Sequence, residues 1–408
     1  MILKARSVLT MNGAPIPDAA VAVEGNAITA VGKVNDLRWL DAGPVYDLGE
    51  VALLPGLINA HCHLDYSTMR NAISPPKSFT AWVQRMNAIK RTQSQEDYLT
   101  AIQRGFIELR RFGTTCVCNV EAFPELMPEM GEPPIRAWWF YEMIDIRHRI
   151  TTEDVVMGAL SFFQAQTHSL NRFGLSPHAP YTSSRSLYEL ANACAEPMLM
   201  MLTTHVAESR EETEMFREGR GALYDFMKSL GRPMDDCGRS TPFAHLWKSG
   251  AISGNWLLAH MNELGEGDFA LLESLPHARK PHIVHCPGSH AYFGHSPFQF
   301  RRLAEIGVNI SIGTDSLAST QSLSLFEEMR SLLKNEAWLT PEEILRTVTV
   351  NPARALRRRG RLGCISPGAL ADLIAVPIDG GRDAVYEQII NYRQPVPWMM
   401  IDGKILTP

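Results

Sequence analysis

Pro55-Gly56-Leu57-Ile58-Asn59-Ala60-His61-Cys62-His63-Leu64-Asp65 marks the point where the character of the chain changes. Ahead of it, residues 1–54 read as short strands, with β-type runs at 20–23 and 27–31 around the turn Glu24-Gly25-Asn26. Behind it, residues 55–364 alternate short apolar runs with longer helical patterns. Strands are expected at 114–120, 174–177, 200–206, 256–260, 282–286 and 308–313, and helices at 95–112, 152–167, 184–195 and 210–230. Repeated βα units build a parallel sheet, and a stretch of about 310 residues suits one closed (β/α)8 TIM barrel. The rival is an open, doubly wound sheet. It usually carries a Gly-rich phosphate loop, and neither GxGxxG after a strand nor GxxxxGK[ST] occurs. Residues 365–408 return to strand character, with a run at 371–376 and two halves of 397–406 around Asp402-Gly403. The expected fold is therefore α/β: a TIM barrel over 55–364 with a small β-sandwich domain formed from both termini, 1–54 and 365–408.

Composition narrows the classes. Of 408 residues 45% are apolar and 20% charged, which is globular rather than disordered. The 39 Lys and Arg against 44 Asp and Glu leave a net charge of −5, which argues against a nucleic-acid surface. Arg357-Arg358-Arg359 reads as a solvated helix end. No run of 18 apolar residues predicts a membrane span, and the polar start does not read as a signal peptide. Seven scattered cysteines, an odd number, suggest reduced thiols and a cytoplasmic protein. Cys116-Val117-Cys118 is spaced too closely for a zinc knuckle and reads as a buried strand pair.

The placement of the 13 histidines carries the functional signal, because several end apolar runs, where barrel active sites are built. His61 and His63 are two apart, so on an extended strand they face one side and can reach one metal. The alternative is a pair of satisfied core histidines. His205 ends the run at 200–206, and Glu208 follows in the loop. His260 ends another run. Asp315 follows the run at 308–313 and is either a helix N-cap or a ligand. Taken together, His61, His63, His205 and Asp315 make a site suited to Zn2+ or Fe2+, with Glu208 and His260 left as acid and base candidates. Such a metal acidifies water toward neutrality, and a nearby carboxylate can pass its proton to a leaving amine.

These motifs, in this order, resemble the amidohydrolase superfamily, specifically its cytosine-deaminase-like and chlorohydrolase-like branch. The segment Gly360 to Leu373 is similar to that family's exit from the barrel, so the resemblance covers almost the whole chain. It implies one metal on His61, His63, His205 and Asp315, zinc first and iron second. It also implies that Asp315 takes a proton from water, that Glu208 shuttles a proton to a substrate ring nitrogen, and that His260 orients the nucleophile. Binuclear relatives use a carboxylated lysine on the fourth strand. No Lys lies between Lys90 and Lys228, so a lysine-bridged pair of metals is not expected.

Ser176-Pro177-His178-Ala179-Pro180-Tyr181-Thr182 resembles a segment of nucleoside-type deaminases, including those for S-adenosylhomocysteine and methylthioadenosine, which makes His178 a ribose-side substrate contact. The segment from His282 to His295, with His61–Tyr66, residues 75–82 and 314–319, is similar to the aminodeoxyfutalosine deaminases of menaquinone biosynthesis. Ser289, His290, Tyr66, Phe79 and Trp82 are further expected substrate contacts. His290 stands where many relatives have Asn, and Thr320 also departs from the expected Asn. The expected activity is hydrolytic deamination of a small 6-aminopurine nucleoside, aminodeoxyfutalosine first. The alternatives are a chlorohydrolase-like or guanine-deaminase-like hydrolase and a non-catalytic metal-binding barrel. Homodimers are common in the family, and a homodimer is carried over as an expectation.

Overall fold

A computed structural model describes residues 1–36, 43–146, 151–164, 170–379 and 384–406. The first strands are β1 (Ile2–Val8), β2 (Ile16–Glu24), β3 (Ala27–Lys33), β4 (Val45–Asp47) and β5 (Val51–Pro55). Eight strands follow: β6 (Leu57–Cys62), β7 (Thr114–Glu121), β8 (Arg136–Met143), β9 (Asn171–Pro177), β10 (Met201–Val206), β11 (Trp256–His260), β12 (His282–His285) and β13 (Asn309–Ile312). They pair in sequence order, all parallel. The last strand meets the first through a parallel bridge between Cys62 and Asp315, and the Thr314 and Asp315 amides donate to the His61 carbonyl at 3.0 and 3.1 Å. Gly313 permits this closure, since a Cβ there would lie 2.6 Å from the His61 oxygen.

Strands β14 (Leu373–Pro377), β15 (Trp398–Ile401) and β16 (Lys404–Leu406) join β1–β5 in one mixed sheet, ordered β16-β15-β14-β5-β1-β2-β3 with β4 beside β1. The expected sandwich takes the form of this single curled sheet. Its far ends come together where Ala27 bridges Leu370 and Asn26 Nδ2 donates to Asp402 at 3.0 Å. Leu3, Val21, Leu53, Leu373 and Met400 fill its interior.

Inside the barrel, Ile58, Val120, Trp138, Phe140, Leu257 and Val284 pack together with Ala353, Ala355 and Leu362. The short helix Val350–Ala355 thus plugs the end at which the strands begin, and the other end stays open. β8 was not among the expected strands. Its apolar run Ala137-Trp138-Trp139-Phe140 is buried on both faces and gives no alternation to read. The helix expected at 210–230 is two helices, Arg210–Glu218 and Ala222–Ser229. Gly219 and Gly221, at φ 67° and 102°, turn the chain between them. Helix Thr152–Gln164 matches the expectation for 152–167, whose last three positions lie outside the described residues. Among the described residues no helix is long and apolar enough to cross a membrane, and all seven cysteines are free.

Candidate active site at the barrel mouth

The open end gathers the residues expected to carry chemistry. His61 and His63 come from β6, His205 from β10 and His260 from β11; Glu208 follows β10 and Asp315 follows β13. All six are buried. Ala207, His260, Met261 and Asp315 take left-handed φ of 51°, 73°, 51° and 58°, a region non-glycine residues avoid. The strand ends hold them there: the Met261 amide donates to Val206 O at 3.0 Å and the Glu263 amide to Ala207 O at 2.9 Å. Packing overrides local preference at the points where the side chains converge.

The donor set fits a divalent metal. His63 Nε2 and His205 Nε2 lie 3.1 Å apart, and Asp315 Oδ1 lies 3.9 Å from His61 Nε2 and 3.8 Å from His63 Nε2. Both His61 ring nitrogens and His63 Nδ1 are buried without a hydrogen-bond partner, so these are not satisfied core histidines. His205 Nδ1 donates to the His178 carbonyl at 2.7 Å, which leaves the Nε2 lone pair facing the cluster. Burial, reinforced by the neighbouring imidazoles, holds His61, His63 and His260 well below the usual histidine pKa. Neutral imidazoles beside one carboxylate are a ligand set for zinc or iron(II). Asp315 Oδ2 is taken by Ser289 Oγ at 2.6 Å and Ser319 Oγ at 2.9 Å, so Oδ1 is the atom turned to the histidines.

Glu208 stands beside this cluster, its Oε1 3.7 Å from His260 Nε2. Burial, then the nearby Asp315 and Glu212 carboxylates, push its pKa well above the ordinary glutamate range. Glu212 fixes the turn that presents it. It accepts from the Glu208 amide at 2.7 Å and the Ala207 amide at 3.1 Å, while Ser209 Oγ caps the helix by accepting from the Glu212 amide at 3.1 Å. Sequence reading passed over Glu212. The Ser209-x-x-Glu212 spacing of a capping box was the available signal.

Of the expected substrate contacts, Tyr66, Phe79, Trp82 and His178 line the cavity above the cluster, together with Glu208, His260 and Asp315. Tyr66 stacks on His63 with ring centres 5.8 Å apart, and its hydroxyl accepts from Lys90 Nζ at 2.6 Å. Ser289 and His290 are placed elsewhere. The Ser289 hydroxyl is spent on Asp315, and His290 Nε2 donates to Ser296 O at 2.8 Å, outside the cavity lining. The cavity has two lobes. The inner one, about 180 Å3, shares Asn87, Lys90, Glu142, Ile144, Phe226 and Leu230 with an outer one of about 840 Å3. Lys90 and Glu142, at the junction, were not anticipated.

The profile of the amidohydrolase family matches residues 52–406. The chain belongs to that family. This amidohydrolase is 30% identical over 393 residues to the 5-methylthioadenosine/S-adenosylhomocysteine deaminase of Pyrococcus furiosus, covering 92% of this chain and 86% of that protein. It is 31% identical over 384 residues to the protein of the same name from Syntrophobacter fumaroxidans, covering 90% and 82%. Among solved structures it resembles an adenosine deaminase from Xanthomonas campestris with bound zinc, at 25% identity and a TM-score of 0.85, over 99% of this chain and 92% of that one. The Helicobacter pylori aminofutalosine deaminase in complex with methylthio-coformycin superposes with a TM-score of 0.87 at 20% identity, over 99% of both chains, a likeness of fold. The amidohydrolase is a hydrolase, and each relative named here is a deaminase.

Proposed function

We propose that this amidohydrolase is a metal-dependent deaminase of a 6-aminopurine nucleoside that carries a large group on its ribose side. The observation that carries the reading is Glu208, a buried carboxyl biased toward its protonated form, set beside the histidine–aspartate cluster on the floor of a two-lobed cavity. His61, His63, His205 and Asp315 would hold one divalent metal, zinc first, as in the zinc-bound Xanthomonas relative. Bound there, the metal supplies Lewis acidity that makes water nucleophilic at neutral pH. Glu208 gives its proton to the ring nitrogen beside the amine-bearing carbon, which makes that carbon electrophilic. His260, 3.7 Å from Glu208, orients the attacking water, and Asp315 Oδ1 receives a proton from it. That proton passes to the departing amine, which leaves as ammonia, while the remaining hydroxyl proton returns to Glu208 and the ring keeps a carbonyl. Ser289 and Ser319 prevent Asp315 from rotating during the transfer.

His178 faces the ribose side, with its Nδ1 2.6 Å from Thr182 Oγ1 and its Nε2 3.9 Å from Glu142. The outer lobe, with Phe123, Tyr141 and Phe226 in its wall and Lys90 at its entrance, takes the substituent. Sequence motifs favour aminodeoxyfutalosine as that substrate. The two relatives at 30–31% identity favour the thioether nucleosides methylthioadenosine and S-adenosylhomocysteine as a second reading.

Ammonia release by the zinc-loaded protein decides among them, using aminodeoxyfutalosine, S-adenosylhomocysteine, methylthioadenosine, adenosine and guanine. One substituted nucleoside should exceed adenosine in kcat/KM by at least about tenfold, since each ~1.4 kcal/mol of added transition-state binding contributes that factor. No ammonia from any of the five, with metal confirmed in place, overturns the proposal. Halide release from a chlorinated triazine would then favour the chlorohydrolase alternative.

A further inference from the structure

The active site absorbs the histidines at the open end of the barrel. It leaves unexplained a concentration of cations at the opposite end. There the beginnings of β11, β12 and β13 and the end of helix Val350–Ala355 enclose a second cavity of about 200 Å3. Lys280, His282, Arg354 and Arg357 line it, and among the described residues no Asp or Glu does. A neighbouring cavity of about 180 Å3 shares Arg354 and adds Arg346 and Arg359, again with no carboxylate among its described lining residues. In a chain with five more carboxylates than cations, 44 against 39, this segregation is not a product of composition. Two members of the arginine run 357–359, Arg357 and Arg359, line these cavities, and the run is exposed, in keeping with its reading as a solvated helix end.

Asn309 fixes the tautomer of His282 in the first cavity. Asn309 Nδ2 donates to His282 Nδ1 at 3.1 Å and to Asn351 O at 3.0 Å. His282 therefore carries its ring proton on Nε2. Burial, with the Arg354 and Arg357 charges, pushes its pKa down to about 4, so it stays neutral at physiological pH. Lys280 is 9% exposed and gives one ammonium proton to Leu272 O at 2.7 Å, keeping two. Arg354 and Arg357 contribute guanidinium forks that match a tetrahedral oxyanion bidentately. A pocket with three permanent cations, no carboxylate among its described lining residues and room for several heavy atoms suits a doubly charged, multi-acceptor anion better than a halide or a single carboxylate.

We propose that this pocket, at the end of the barrel away from the active site, binds a phosphate group, either as inorganic phosphate or as the end of a small phosphate monoester. Occupancy would brace the plug of the barrel. Asn351 Nδ2 donates to Ile310 O at 2.9 Å, and Ala353 and Ala355 pack against the barrel interior, so a ligand on Arg354 and Arg357 ties that helix to β12 and β13.

Thermal unfolding of the metal-loaded full-length protein tests this, with sodium phosphate or ribose 5-phosphate titrated against sodium chloride at constant ionic strength. A rise in Tm of about 3 °C is expected at a hundredfold excess over Kd, and it should keep growing with the logarithm of ligand concentration. The tighter of the two ligands names the source. In Arg354→Gln/Arg357→Gln the rise should vanish, with metal content and ammonia release unchanged. Should the double variant not fold, the exposed Arg357→Gln alone should weaken binding about tenfold, the loss of one charge-assisted pair. A rise no larger than that from chloride, one retained in the double variant, or an undiminished affinity in Arg357→Gln overturns the proposal. Binding is read without turnover, so its failure is independent of the deaminase reading.

Discussion

Burial holds the Glu208 pKa well above the ordinary glutamate range, and the two carboxylates nearest it add to the shift. Glu208 is 7% exposed, with Asp315 and Glu212 as its charged neighbours. Glu208→Gln keeps the shape and loses the transferable proton. Turnover should fall by about 100- to 10,000-fold, the range for losing a general acid, while bound metal and Tm hold or rise. Single-turnover ammonia release together with metal analysis checks this, and unchanged turnover with full metal would refute the proton-transfer role. The cluster around Glu208 was legible because His61, His63, His205, His260 and Asp315 each follow an apolar run, and barrel strands deliver such residues to one end. The supporting atoms were not. Ser289 and Ser319 reach Asp315 from 26 and 4 positions away, and Glu212 braces Glu208 from the next helix; those contacts depend on side-chain direction, which spacing alone does not give.

The helix Phe79–Lys90 carries Phe79, Trp82 and Lys90 to the cavity. Two devices hold its first turn. Ser78 Oγ accepts from the Ala81 amide at 3.2 Å, and Glu211 accepts from the Phe79 and Thr80 amides at 2.9 Å each. Glu211 belongs to the helix Arg210–Glu218, which starts directly after Glu208, so one side chain couples the cavity wall to the catalytic turn. Glu211→Ala leaves two amides of that turn unpaired and removes a negative charge from a helix N-terminus, a loss on the order of 1–2 kcal/mol. If the outer lobe takes the ribose-side substituent as proposed, KM for the substituted nucleoside should rise several-fold, with kcat for adenosine much less affected, because adenosine carries no such group. Equal KM values in the two proteins would remove Glu211 from this role. The neighbouring Gly219 and Gly221 show how an element boundary was misjudged. Apolar periodicity runs on through residues 210–230, and only the left-handed backbone at the glycines reveals the break.

The two sheets are joined by a buried ion pair that no local pattern announces. Arg136, at the start of β8, donates from Nη2 to Asp372 Oδ1 at 3.2 Å and to Asp402 Oδ1 at 2.5 Å, and its Nε also bonds Asp372. Both termini were legible as strands, and so was the barrel between them. Their junction was not, because it unites positions 136, 372 and 402, which are brought together only when the sheet curls onto the barrel. Arg136 and Asp372 are 6% and 5% exposed, so neither charge has water to fall back on. Replacing only the cation strands a buried carboxylate, at a cost of about 3–5 kcal/mol. Arg136→Met should therefore lower the denaturation midpoint substantially, and Arg136→Met with Asp372→Asn should recover part of the loss. The pH dependence has a definite sign. Burial already pushes the Asp372 pKa upward in the folded protein, and losing the guanidinium removes the main opposing influence. A carboxyl whose folded pKa is raised stabilises the fold below its unfolded pKa, and that contribution is lost as pH rises through the folded value. The deficit of Arg136→Met should accordingly be larger at pH 8 than at pH 5. Chemical denaturation of the two proteins at both pH values measures it, and a deficit independent of pH would mean that packing, rather than the stranded charge, sets the cost.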